Sequence, residues 1–362
     1  MLRIGDFVYD ALPGRIVFGS GAARTRLRDE LDAVGAKRVL LVVAAPERAL
    51  ADELALPLGE LVVGVFDDVR PHVPVEVARR ACAAASEARA DWVLSIGGGS
   101  TTGTAKAVAL ELGLPIAAVP TTYAGSEMTP VWGLTEDGRK VTGRAAAVLP
   151  RLVVYDPELT VSLPARITAA SAGNGLAHCV EAFWAPASSP IAVLFAEEGI
   201  RAIVAGAPRA VSEPEDLDGR SKTLYGAYLA GSAFALAGSD IHHKICHVLG
   251  GALDLPHAET HTIVLAHALA FVEPALPDPV RRRLGAAFGA TDRRPADTLH
   301  DFLDRFDIAR ALGDLGLSSA DIPRLAEEIV EQVPASTPRR PTPKEIAQLL
   351  ERARIGAEPV AG

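Results

Sequence analysis

The chain of 362 residues is poor in cysteine, in aromatic side chains and in long apolar runs. Its three cysteines (Cys82, Cys179 and Cys246) form no CxxC pair, which excludes a disulfide framework and favours free thiols in a reducing cytoplasm. No apolar run approaches the ~18 residues of a membrane span, and the amino-terminal segment lacks the pattern of a signal peptide. Only 5% of the residues are aromatic, so Ala, Val and Leu must fill much of the core.

Positive charge is also in short supply. The chain has 36 Lys and Arg against 45 Asp and Glu, a net charge of −9. Because phosphate backbones are bound through a basic field, this balance argues against nucleic acid as the main partner. A small anionic substrate stays possible, since it needs only a local cluster of donors. The length and the ordinary hydrophobic fraction of 49% predict a globular protein of about two domains.

The first 155 or so residues alternate between short apolar runs and alanine-rich segments. Val-rich runs at 38–44 and 61–66 are typical of strands buried on both faces of a parallel sheet. The pattern predicts a Rossmann-like α/β nucleotide-binding domain over residues 1–160. The other predicted elements are strands within 91–100, 116–122 and 146–157, and helices at 47–60, 73–90 and 104–113.

Long segments of helical character follow Asp156-Pro157, with breaks at proline-containing stretches. They predict an all-helical second domain over residues 161–362. The predicted helices span 166–184, 190–208, 217–237, 241–252, 259–272, 278–289, 295–312, 318–332 and 343–355.

Two polar loops follow strands of the predicted sheet. Residues 95–103, SIGGGSTTG, lie where a strand becomes a helix, so glycines and free helix N–H groups can approach a pyrophosphate. Residues 120–127, PTTYAGSE, follow the next strand, and ligands of open parallel sheets bind at such strand ends. Tyr123 in this second loop is predicted either to face the substrate or to pack against the cofactor. Lys106, beyond the glycines, is predicted to support the phosphate or to lie on the surface.

The sequence leaves the choice between NADH and NADPH open. A carboxylate after an early strand binds the ribose hydroxyls and repels a 2′-phosphate. The run 39–47, VLLVVAAPE, ends its strand in Ala44-Ala45, and Glu47 comes a residue or more late.

Histidines concentrate in one segment, with six of the nine between residues 242 and 267. His243 and His247 stand four residues apart, so both project from one face of a helix. His257 follows a glycine pair that permits a bend. This density and spacing predict an active site, although His242 and His300 fit ordinary core histidines better.

A second pair, Asn174 and His178, also stands four residues apart, with Glu181 one turn further on. Imidazoles spaced in this way share a divalent metal readily when a carboxylate completes the set. Here the fourth group is the neutral amide of Asn174. The neutral amide therefore makes a functional divalent metal doubtful.

Together these motifs resemble the iron-containing alcohol dehydrogenase superfamily and, within it, the maleylacetate reductase branch. The resemblance covers nearly the whole chain, from FVYDALPGRIVFGSGA through GGGSTTGTAKAVAL and PTTYAGSEMTPVWGLT to PTPKEIAQLLERA. It includes NGLAHCVEAFW and the histidine spacing of four, ten and ten residues from His243 to His267.

The resemblance implies a dehydroquinate synthase-like architecture with the active site in a cleft, and a homodimer. Metal-dependent members use an Asp and three His, which match Asn174, His178, His243 and His257; His247 matches a histidine beside the nicotinamide. The absence of Asp at residue 174 places iron or zinc dependence in doubt. The implied phosphate and nucleotide loops fall on Gly97, Gly98, Gly99, Ser100, Thr121, Thr122 and Ser126.

The implied reaction is the NADH- or NADPH-dependent reduction of maleylacetate, a small dicarboxylate, to 3-oxoadipate in aromatic-compound degradation. Three alternatives remain at this stage. They are a metal-dependent alcohol or polyol dehydrogenase of the same superfamily, a lyase like dehydroquinate synthase that recycles NAD, and a nucleotide sensor without catalysis. In the reductase we expect His243 to act as acid, His247 to lie beside the nicotinamide, and His178 and His257 to anchor the substrate.

Overall fold

The computed structural model describes residue 7 and residues 9–136 and 139–360, and the chain forms two compact units. Ala11–Leu163 makes up one unit and contains the sheet, and the chain from Pro164 onward belongs to the other, which is helical. This architecture confirms the predicted fold class. Within the described ranges, no helix has the length and apolar character needed to cross a bilayer.

A parallel sheet of six strands organises the first unit, in the order β1-β8-β5-β4-β2-β3. Every residue of β2 and β4 is buried, as expected for Val-rich strands covered on both faces. An antiparallel hairpin, β6-β7, lies outside this sheet. The strands are β1 (Arg15–Phe18), β2 (Val39–Val43), β3 (Val62–Phe66), β4 (Trp92–Gly97), β5 (Ile116–Pro120), β6 (Val131–Glu136), β7 (Arg139–Arg144) and β8 (Leu152–Tyr155). The helices of this unit are α1 (Ala22–Thr25), α2 (Leu27–Ala33), α3 (Arg48–Ala55), α4 (Val75–Glu87) and α5 (Gly99–Leu112).

The second unit is a helical array around α6, which is buried from Thr168 to Glu181. Several helices begin at a capping side chain, and Thr342 with Glu345 forms a complete capping box. The helices are α6 (Ala165–Glu181), α7 (Pro190–Ser212), α8 (Leu217–Ala237), α9 (Ile241–Leu253), α10 (His257–Val272), α11 (Asp278–Ala287), α12 (Pro295–Leu303), α13 (Ile322–Gln332) and α14 (Pro343–Arg354).

Glycines bring the backbones of α7 and α8 close together. A Cβ atom on Gly226 would lie 2.5 Å from Ile203 Cγ1 and 3.0 Å from the carbonyl oxygen of Gly199. One on Gly206 would lie 2.7 Å from the carbonyl oxygen of Gly219. Each helix repeats its glycine after seven residues, which is two turns, so the contacts fall on one face.

We therefore expect Gly226→Ala to destabilise the protein. The added methyl group overpacks the α7–α8 contact, at a cost of about 1–3 kcal/mol. Gly250→Ala is the matched control, because a Cβ there meets nothing within 4 Å. It keeps the helix-propensity gain of about 1 kcal/mol without the clash. Urea unfolding of both variants measures the difference, and equal midpoints would contradict the packing argument.

Three predicted elements differ from the structure. The helix predicted at 295–312 ends at Leu303, because the N–H groups of Leu312 and Gly313 bond instead to the carbonyls of Ala353 and Arg354 at the end of α14. The helix predicted at 318–332 begins at Ile322, with a proline in its first turn. The helix predicted at 47–60 stops at Ala55, and the chain continues as an irregular turn with Gly59 at φ 55°.

Candidate active site

The glycine loop joins β4 directly to α5, so the glycines form the start of the helix. Gly97 has φ 149°, and a Cβ there would lie 2.6 Å from Thr101 Oγ1 and 2.7 Å from Glu47 Oε2. Only glycine fits this position. No side chain caps α5 at Gly98, so the first N–H groups of the helix, which include that of Ser100, remain available to an anion.

The second loop lies against the first. Gly97 pairs with Pro120 at the ends of β4 and β5. A Cβ on Gly98 would lie 3.0 Å from Thr122 Cγ2, and one on Gly99 would lie 4.0 Å from Ser126 Oγ. Ser126 Oγ is buried and has no hydrogen-bond partner, so it is a hydroxyl left for a ligand. The structure thus brings together the seven residues of the two loops that were predicted from the sequence.

Glu47, which follows the end of β2, contacts the second of these loops. Its Oε1 atom accepts a hydrogen bond of 2.6 Å from Thr121 Oγ1. Burial raises the pKa of the Glu47 carboxyl, and the bond from Thr121 opposes that shift. Glu47 therefore lies over the strand ends rather than out in solvent.

Tyr123 does not face open space. Its side chain is fully buried, and its hydroxyl donates to Thr160 Oγ1 at 2.9 Å. Tyr123 is thus packed against Thr160 in this structure, and its predicted contact with substrate or cofactor stays a prediction. The sequence could not show this, because the two residues are 37 positions apart.

The buried face of α6 carries Asn174, His178 and Glu181. The Oδ1 atom of Asn174 is buried without a hydrogen-bond partner, which is costly unless a ligand satisfies it. Glu181 is fully buried and lies beside the start of α9. Its Oε1 atom accepts from the backbone N–H groups of His242 at 2.8 Å and His243 at 3.3 Å.

A hydrogen-bonded chain runs from Glu181 through His243 to His178. Glu181 Oε2 contacts His243 Nδ1, and His243 Nε2 lies 3.0 Å from His178 Nδ1. When Glu181 is ionised, it accepts from Nδ1 of His243, and Nε2 of His243 accepts from His178. When the pair holds one further proton, that proton lies between Glu181 and Nδ1, and Nε2 of His243 donates to Nδ1 of His178. The two rings are stacked at 5.0 Å, and Phe234 packs 4.7 Å from each of them.

The remaining histidines extend this cluster. His242 Nε2 and His261 Nδ1 lie 3.0 Å apart. The ring of His247 lies 5.9 Å from that of His243, and the ring of His257 lies 4.3 Å from that of His261. His247 is half-buried and His257 is exposed, whereas the other members are buried. The expectation that His242 is a core histidine fits its complete burial.

Burial dominates the titration of the cluster. It lowers the pKa of His242 to about 3 and that of His243 well below its usual value, and neighbouring histidines add to the effect. Burial raises the pKa of Glu181 to about 8. At neutral pH the Glu181–His243 pair therefore retains one proton, which the two groups share.

The residues predicted to hold a divalent ion include one neutral group. Asn174 supplies an amide where a carboxylate would be the stronger ligand, whereas a carboxylate such as Glu181 on one nitrogen of His243 is also common beside metal-ligating histidines. Metal binding requires ligand atoms that converge at short distance. Among the described residues, the three-residue group of His, Cys, Asp or Glu ligand atoms within 4.8 Å of one another is His242, Cys246 and His261, not His178, His243 and His257.

Sequence profiles of two adjoining parts of the chain establish its class. Residues 13–157 match the iron-containing alcohol dehydrogenase profile, and residues 168–354 match the C-terminal profile of the Fe-containing alcohol dehydrogenase family. The chain belongs to the iron-containing alcohol dehydrogenase family.

Within this family the chain is similar to maleylacetate reductases. It is 47% identical to the maleylacetate reductase of Sphingobium indicum, over 98% of this chain and 99% of that one. The crystal structure of maleylacetate reductase from Agrobacterium tumefaciens superposes with a TM-score of 0.92 at 42% identity, over 98% of this chain and 100% of that chain. A sulfoacetaldehyde reductase from Bifidobacterium kashiwanohense, solved in complex with NAD+, superposes with a TM-score of 0.85 at 26% identity, over 96% and 99% of the two chains.

Proposed function

We propose that this protein reduces the conjugated carbon–carbon double bond of maleylacetate with NADH or NADPH to give 3-oxoadipate. The similarity of nearly the whole chain to maleylacetate reductases carries the proposal. We assign cofactor binding to the domain 1–160 and the histidine cluster to the domain 161–362. We further propose that the protein is cytoplasmic, a compartment in which its three free cysteines stay reduced. We also propose that it forms a homodimer.

In this reaction, hydride from C4 of the nicotinamide adds to the alkene carbon β to the ketone. The carbon–carbon π electrons move toward the carbonyl, so an enolate oxygen develops negative charge. N–H groups of His178 and His257 stabilise that oxygen in our proposal. A proton then reaches the carbon α to the ketone along the hydrogen-bonded chain. His178 gives up its outer N–H proton and takes one from Nε2 of His243, and His243 takes the proton that it shared with Glu181. One hydride and one proton are consumed, and NAD(P)+ is released.

The loops of the first unit hold the cofactor. The unpaired N–H groups at the start of α5 and the Ser126 hydroxyl supply donors for the pyrophosphate. Thr121 and Thr122 supply further hydroxyl groups, and His247 lies beside the nicotinamide in this proposal. The proposal includes no metal-bound step, because Asn174 is not a metal-ligating carboxylate.

The proposal is tested by following NADH absorbance with freshly prepared maleylacetate and chelator-treated protein, with and without added Zn²⁺ or Fe²⁺. We expect rapid oxidation of NADH that the metals do not increase, because histidine N–H groups stabilise the enolate. Turnover of simple alcohols or aldehydes restored by metal, with none of maleylacetate, would instead identify a metal-dependent alcohol dehydrogenase. Without net consumption of NADH, neither enzyme is supported.

A further inference from the structure

Lys106 is a buried cation on α5, two turns beyond the glycine loop, with a side chain 2% exposed. Its Nζ atom donates to the carbonyl oxygens of Ser126, Thr129 and Val131 at 2.7, 2.8 and 2.8 Å. Thr129 Oγ1 lies 2.9 Å from the same nitrogen. The predicted surface position of Lys106 is therefore wrong, since its ammonium group is fully engaged with backbone.

Among the described residues, no carboxylate forms a direct ion pair with the Lys106 ammonium. The nearby carboxylate of Glu127 is buried and accepts a hydrogen bond of 2.6 Å from Tyr155. Burial lowers the pKa of Lys106 to about 7, and the charge of Glu127 partly offsets this. The three carbonyl groups accept from the Lys106 nitrogen, which therefore acts as a bracket that holds three backbone groups in fixed positions.

The bracket connects the two predicted cofactor loops. Helix α5 begins at Gly99 in the first loop, and Ser126, whose carbonyl Lys106 binds, ends the second loop. The unpartnered hydroxyl of Ser126 lies 4.0 Å from the place of a Cβ on Gly99. The ammonium therefore fixes how far this hydroxyl stands from the first turn of α5.

We propose that Lys106 is a positioning residue for the dinucleotide, because it holds the Ser126 hydroxyl beside the helix start that binds the phosphates. This inference rests on the proposed function only for the identity of the cofactor. Without the ammonium, the carbonyls of Ser126, Thr129 and Val131 each lose a donor, and that of Ser126 keeps only its bonds from the N–H and hydroxyl of Thr129. Residues 126–131 can then shift, which moves the Ser126 hydroxyl. The effect falls on cofactor binding, whereas the histidine cluster keeps its contacts.

The test is Lys106→Met, with NADH affinity measured by fluorescence titration in the absence of maleylacetate. We expect the Kd and KM for NADH to rise about tenfold, with kcat at saturating NADH within about twofold of the unmodified protein. Lys222→Met is the control, because Lys222 makes an exposed ion pair with Asp218 and should bind NADH normally. An unchanged Kd for Lys106→Met would overturn the proposal. Because the Kd is measured with NADH alone, absence of maleylacetate turnover would count against the proposed function and not against Lys106.

A double variant separates positioning from a general structural effect. If Lys106 acts through Ser126, Lys106→Met combined with Ser126→Ala binds NADH about as well as Lys106→Met alone. If the double variant instead lost NADH affinity by the product of the losses of the two single variants, Lys106 would not act through Ser126. Should Lys106→Met fail to fold, Thr129→Val removes one acceptor of the ammonium. It should raise the Kd for NADH, measured without maleylacetate, about threefold, and an unchanged Kd would overturn the proposal.

Discussion

Replacement of Asn174 by aspartate should reduce kcat/KM for maleylacetate about 100-fold. The substrate is a dianion, and its carboxylates and ketone only accept hydrogen bonds. The Oδ1 atom of the buried Asn174 amide has no hydrogen-bond partner. Because the oxygen and nitrogen of an amide can exchange places, we expect the amide to turn its N–H donors toward such a ligand. A carboxylate at the same place repels the dianion. At ~5 Å and an effective dielectric of ~20, two unit charges repel by about 3 kcal/mol, which corresponds to the expected factor.

Asn174→Ala is the matched variant, because it removes the amide without adding charge. We expect it to lose about tenfold in kcat/KM, as for the loss of one hydrogen bond to a charged group. The Kd for NADH should stay unchanged in both variants. Equal losses in the two variants would contradict the argument from charge. Zinc and iron contents of Asn174→Asp provide a second measurement, since aspartate restores the missing carboxylate ligand and should increase metal retention.

Five of the six strands of the sheet could be predicted because their signal is local, whereas β1, with one buried residue, was missed. The runs containing β2 and β3 are bounded within one residue of the observed strands. β2 is buried on both faces as predicted, but β3 lies at the sheet edge and only Phe66 in it is buried, so its predicted burial was wrong. The hairpin of residues 131–144 was not predicted. Its first strand is only half-buried, so it lacks the strong apolar pattern of the sheet.

The residues of the candidate site likewise divide into those with a local sequence signal and those without one. The glycine loop and the spacing of Asn174 and His178 are local patterns, and the structure places them at a strand end and on one helix face. The bond between Glu181 and His243 joins residues 62 positions apart, so no local pattern shows it. The seven-residue spacing of Asn174 and Glu181 was the one available signal, because it places both side chains on one face of α6. The roles of these residues in catalysis stay predictions.

Glu181→Gln should lower kcat/KM by about 10²–10³-fold, within the range for loss of general acid catalysis. The amide oxygen of glutamine can still accept from the N–H groups at the start of α9. Its amide nitrogen, however, donates toward His243 Nδ1, which must then accept. The unmodified pair with its shared proton also has the Nε2–H of His243 directed at His178, so the hydrogen-bonded chain keeps its direction. The geometry is retained, but the amide has no acidic proton to supply.

The pH dependence distinguishes this loss from a structural one. Burial raises the pKa of Glu181 to about 8, so the pair with His243 keeps its shared proton below that pH and loses it above. Because the acid must hold this proton, kcat/KM of the unmodified protein should fall as the pH rises through about 8. In Glu181→Gln no carboxyl group holds the proton, and burial keeps the pKa of His243 low, so the fall should shift to lower pH. Glu198→Gln, at an exposed ion pair with Arg201, should leave the profile unchanged. A profile for Glu181→Gln that is reduced in height but not shifted would show that Glu181 only supports the start of α9.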